Sequence, residues 1–167
     1  KESGDNDQEL LDNIVAQVSK IYKPGFVEIT GCELVGEDTY HCIGKFPDEA
    51  YLAVPTACLN GTEFANMTVQ ASVVIICHSL ITSGEFTIDQ IYEIAMRSVV
   101  VESHAYYKKA VFRKKELSLM GSIQCFQKSH SKLLEVEFDL EEGCMTGNSK
   151  ALLVDEDHNI HYGKTGE

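Results

Sequence analysis

The stretch from Phe64 to Ile81 is apolar on almost every side and holds no Pro or Gly, the next glycine being Gly84. A helix without a polar face has to be enclosed all round. In a chain of 167 residues, a curved sheet wrapped around it is the arrangement that can do this. Asn60 and Glu63 have capping-box spacing and place the start of the helix. The longest unbroken apolar run inside it, Val73 to Cys77, is far too short to span a bilayer, so no membrane insertion is expected.

The flanking segments supply the sheet. Before the apolar stretch, Leu10, Leu11, Ile14, Val15, Val18 and Ile21 recur at helical spacing over Gln8 to Ile21, and Pro24-Gly25 ends that helix. Phe26–Val35 and Thr39–Phe46 read as a hairpin across Gly36-Glu37-Asp38. Beyond it, Thr87 and Gln90 form a second capping box opening a short helix to about Met96. Strands are expected over Ser98–Lys108, Leu117–Cys125, Leu134–Glu141 and Met145–Val154. The third is the clearest, with Leu134, Val136, Phe138 and Leu140 on one face and Glu135, Glu137, Asp139 and Glu141 on the other. Strict alternation means one packed and one wet face, hence antiparallel pairing. The reading is an α+β domain of hot-dog architecture over residues 8–154, between a frayed tail at 1–7 and another at 155–167. Such a sheet leaves an edge that a second copy would cover, so a homodimer or higher homo-oligomer is expected.

Composition narrows the partners. Fourteen Lys and Arg stand against 26 Asp and Glu, a formal charge of −12, which argues against nucleic acid. Hydrophobic residues at 44 % argue against disorder. Cys32, Cys42, Cys58, Cys77, Cys125 and Cys144 show no C-x-x-C spacing. Most lie in apolar runs, so reduced core thiols, no metal and a cytoplasmic protein are expected. Asn60-Gly-Thr and Asn66-Met-Thr match the glycosylation sequon but fall on the buried helix and are discounted.

There is no G-x-S-x-G, no Gly-rich phosphate loop and no H-E-x-x-H. Chemistry is therefore expected at the start of the buried helix, where free N–H groups and the dipole favour negative charge developing on a thioester carbonyl oxygen. Tyr51 and Asn60 are neutral hydrogen-bond donors there. Glu63, the only acidic side chain between Tyr51 and His78, could act as general base or nucleophile. Equally, Asn60 and Glu63 could be cap residues only, and Tyr51 a loop cover. His78, alone in an apolar helix, reads as a core residue. Lys108, Lys109, Arg113, Lys114 and Lys115 gather five basic residues in an acidic chain. They read either as a landing site for the phosphates of coenzyme A or a phosphopantetheine carrier, or as a solvated strand end.

Ala50-Tyr51-Leu52, then Asn60, Glu63 and Gln70, then Phe112-Arg113-Lys114 and Val136-Glu137-Phe138, taken in order, resemble the FcoT-like hot-dog thioesterases. The resemblance runs from about Glu9 to Val154. It implies hydrolysis of fatty acyl-CoA or acyl-carrier-protein thioesters by tyrosines and asparagines beside a tunnel, with no cofactor. By position, the tyrosines resemble Tyr22 and Tyr51, and the first asparagine resembles Asn60. The second falls on Val69, which leaves Asn66 or Gln70 to take its role. Arg113 and Lys114 would meet phosphates. Similar FcoT-like proteins of isonitrile lipopeptide pathways assist glycine addition to a short α,β-unsaturated acyl thioester. A non-catalytic acyl-binding module is the alternative of another class.

Overall fold

The computed structural model describes residues 2–49, 56–128 and 131–154. Three helices, α1 (Glu2–Ser19), α2 (Gly61–Thr82) and α3 (Ile91–Arg97), accompany six strands. The strands are β1 (Ile29–Leu34), β2 (Thr39–Gly44), β3 (Ser98–Tyr107), β4 (Leu117–Lys128), β5 (Ser131–Leu140) and β6 (Met145–Leu153). They form one antiparallel sheet in the order β1-β2-β4-β5-β6-β3.

α2 is the enclosed helix. It contacts β1, β2, β4, β5 and β6. Five strands laid flat would be roughly 19 Å across at ~4.8 Å spacing, while a helix is only ~10–12 Å wide. One helix reaches both ends of such a sheet only if the sheet curls around it. The close approach depends on two missing side chains. A Cβ at Gly121 would lie 2.7 Å from Ile75 Cδ1, and one at Gly44 would lie 2.8 Å from Met67 Sδ. Phe64, Met67, Ile75, Ile76 and Leu80 are fully buried, facing Leu117, Leu119, Leu134 and Leu140 of the sheet. Among the described residues α2 is the one helix long and apolar enough to cross a membrane, and two thirds of its most apolar window lies inside the protein.

The expected elements are present with shifted ends. α1 starts at Glu2 rather than Gln8, so residues 2–7 are helical and not a frayed tail. Their acidic content suits the positive end of a helix dipole. β1 starts at Ile29 rather than Phe26, because the Gln70 side chain intercepts the backbone before it. Gln70 Nε2 donates to the Phe26 carbonyl at 2.8 Å, and the Glu28 N–H donates to Gln70 Oε1 at 2.8 Å. The segment 155–167, expected as a tail, lies outside the described residues, as does Tyr51.

Candidate functional site

The start of α2 is built by three interlocking contacts. The Glu63 N–H donates to Asn60 Oδ1 at 2.9 Å, and the Asn60 N–H donates to Glu63 Oε2 at 3.1 Å, a reciprocal capping box. The chain leading into it is held as a short ribbon. The Leu59 N–H donates to the Val111 carbonyl, the Arg113 N–H donates to the Ala57 carbonyl, and Cys58 bridges Phe112. That ribbon delivers Arg113 to the buried carboxylate. Its Nη2 donates to Glu63 Oε1 at 3.0 Å and its Nε to the Thr56 carbonyl at 2.6 Å, while the guanidinium lies 4.5 Å over the Phe46 ring. Tyr107 closes the group from β3, edge-on to Phe64.

Both oxygens of Glu63 are thus engaged, and its side chain is almost wholly buried. Asn60 Oδ1 is spent on the cap, leaving its Nδ2 as a donor. Lys114 pairs with Glu141. Lys108, Lys109 and Lys115 are exposed and form no ion pair among the described residues. Of the five clustered bases, two are drawn into the fold and three face solvent.

A second locus lies further along α2. A cavity of about 150 Å³ is bounded by Tyr22, Val69, Ser72, Val73 and Ile76 on one side and by α3, β3 and β6 on the other. Its walls are mainly aliphatic, with hydroxyls set into them. Ser72 Oγ donates to the Thr68 carbonyl and Ser98 Oγ to the Ile94 carbonyl, so each keeps lone pairs available. Ser149 Oγ is buried with no hydrogen-bond partner among the described residues. Burial, with Cys77 and Glu28 nearby, pushes the Tyr22 phenol above its ordinary value, keeping it a neutral donor. Asn66 lies one turn before Val69 and two before Val73, on the same helix face. It makes no side-chain hydrogen bond to a described residue. The structure therefore brings Tyr22 and the Val69 position together at one cavity, groups Asn60, Glu63 and Arg113 at the head of α2, and ties Gln70 to the backbone ahead of β1.

Two constellations escaped the sequence reading. Tyr40 Oη and His78 Nδ1 are 2.9 Å apart in the core. Burial raises the phenol and lowers the imidazole, so both are neutral at pH 7. On the outer face, His41 Nδ1 meets Glu33 Oε1 at 2.9 Å and its Nε2 meets Ser118 Oγ at 2.9 Å. This has the connectivity of a hydrolytic triad. However, the Ser118 N–H, the nearest backbone donor, already points at the Glu141 carboxylate, which leaves a negative charge where an oxyanion would need a donor. Both pairings join residues far apart in sequence across β1, β2, β4 and α2, which no local pattern reveals.

No known sequence family matches the chain, and no curated protein does. Its shape does have relatives among solved structures. A candidate thioesterase from Shewanella oneidensis superposes with a TM-score of 0.60 at 10 % identity, covering 90 % of this chain and 99 % of that one. Zebra fish thioesterase superfamily member 2 gives 0.56 at 13 % identity, covering 87 % and 97 %. A hypothetical thioesterase of Streptococcus pneumoniae, solved with coenzyme A, gives 0.52 at 12 % identity, covering 84 % and 96 %. These likenesses establish the fold: the chain is a hot-dog protein.

Proposed function

We propose that this hot-dog domain is an acyl thioesterase acting on acyl groups carried by coenzyme A or an acyl carrier protein. The observation that supports it most is the cavity beside α2, an aliphatic space with hydroxyls in its walls, approached from a helix N-terminus and an unpaired carboxamide. The acyl chain occupies the space against Val69, Val73 and Ile76. Asn66 Nδ2 and the dipole of α2 polarise the thioester carbonyl, and Tyr22 orients the attacking water. Water adds to the carbonyl carbon, the C–S bond breaks, and the products are the free acid and the thiol. Lys108, Lys109 and Lys115, with Arg113 and Lys114 beside them, receive the carrier's phosphates. Asn60, Glu63 and Gln70 hold the helix in place rather than touch the reacting atoms. Tyr51 remains assigned to the site by resemblance alone.

A second reading, an acyl-binding module without turnover, is favoured by the engagement of both Glu63 oxygens, because α2 carries no other carboxylate. One experiment separates them. Free-thiol release is followed across an acyl-CoA chain-length series, with crotonyl thioester plus glycine in parallel. Thiol release that saturates with substrate supports hydrolysis. A glycine adduct from the crotonyl arm moves the activity to the addition chemistry. Stoichiometric binding with no thiol released overturns the enzymatic reading.

A further inference from the structure

The β1–β2 hairpin holds a pair of cysteines with no part in the site above. Cys32 and Cys42 face each other in the strand register, and their sulfurs lie 3.0 Å apart. The backbone sets which kind of facing pair they are. The Val35 N–H donates to the Thr39 carbonyl, so 35 and 39 form a hydrogen-bonded pair closing the turn. Antiparallel pairs alternate from there, which makes 34 with 40, and 32 with 42, non-hydrogen-bonded. Those positions bring Cα atoms to ~4.5 Å, inside the range that a disulfide spans. Both side chains are buried and point the same way as Tyr40 two residues along. None of the other four cysteines has a sulfur contact among the described residues.

We propose that Cys32 and Cys42 are a two-electron thiol oxidation site that closes into an intramolecular disulfide by exchange with a small disulfide such as oxidised glutathione. One cysteine thiolate attacks a glutathione sulfur, forming a mixed disulfide and releasing one glutathione. The second cysteine attacks the protein sulfur of that mixed disulfide and releases the other. The protein loses two protons and two electrons, and the glutathione disulfide is reduced to two thiols.

Timing follows from the packing. Burial and the hydrogen bond from Cys32 push the Cys42 thiol well above its ordinary range, so the folded hairpin holds little thiolate. α1 packs on β1, and Gln8 Nε2 donates to the Cys32 carbonyl at 3.0 Å. Exchange therefore belongs to the moments when the hairpin is open, chiefly during folding, and the closed bond is then shielded. The redox state met while folding is retained.

The test is to unfold the fully reduced chain and refold it with, or without, a mixture of reduced and oxidised glutathione. Remaining thiols are then alkylated and the peptides mapped by mass. The expected result is a Cys32–Cys42 cross-link, a mass lower by two hydrogens, and a Tm raised by about 5–10 °C over the reduced form. Cys42→Ala should abolish the loss of two hydrogens; should that variant fail to fold, the wild-type map decides alone. Glutathione adducts persisting on Cys32 or Cys42, a cross-link to another cysteine, or both thiols free after refolding would overturn the proposal.

Discussion

Two asparagines near the head of α2 differ in what their carboxamides are free to do. Asn60 accepts the Glu63 N–H and thereby fixes where the helix begins. Asn66 has no such duty and stands on the helix face that leads to the cavity. Substitution separates capping from carbonyl binding. Serine caps a helix about as well as asparagine but has no amide donor. Asn60→Ser should therefore fold with its stability changed by less than ~0.5 kcal/mol and keep its kcat. Asn66→Ala should lower kcat by ~10²-fold, the scale of losing one oxyanion donor, with an unchanged Tm. Steady-state kinetics and thermal melts on both variants check this. The reverse pattern, with activity lost in Asn60→Ser and retained in Asn66→Ala, would hand the donor role to Asn60.

At the scale of elements, the head of α2 depends on a residue 50 positions downstream. Arg113 neutralises Glu63 and is itself only partly exposed. Removing one partner of a buried pair leaves an uncompensated charge. Arg113→Ala should cost roughly 2–4 kcal/mol in urea unfolding, and adding Glu63→Gln should recover a substantial part. A single variant within ~0.5 kcal/mol of wild type would show that the guanidinium contributes nothing to the fold. This contact also shows what the sequence does and does not disclose. The limits of α2, its capping box and the alternation of β5 are local patterns, and they were legible. The Glu63–Arg113 pair, the cavity hydroxyl of Ser149 and the facing of Cys32 and Cys42 depend on strand order and register. Both are set by long-range packing and leave no periodic trace in one sequence. The same limit explains the basic cluster: residue type alone could not tell Arg113, turned inward onto a carboxylate, from Lys108, turned out to solvent.

For the molecule as a whole, the two edges of the sheet are unequal. α1 packs on β1, whereas β3 ends the sheet with its outer side open. Along this edge Val101 is 55 % and Tyr106 62 % exposed, and no Pro or Lys interrupts the strand. An apolar, uninterrupted edge of this kind pairs readily with another copy. The cavity opens beside it, since Met96 at 60 % and Val100 at 45 % exposure both line its wall. A second protomer on β3 would roof that mouth and keep water from the acyl chain, which joins assembly to activity. Val101→Lys should then convert a dimer into a folded monomer by light scattering, with an unchanged far-UV spectrum. The KM for acyl-CoA should rise about tenfold, the ~1.4 kcal/mol expected from losing part of one apolar wall. A wild-type chain that is monomeric at micromolar concentration, or a Val101→Lys variant that stays dimeric, would place the interface elsewhere. A monomeric variant with unaltered KM would separate assembly from binding and leave the cavity complete within one chain.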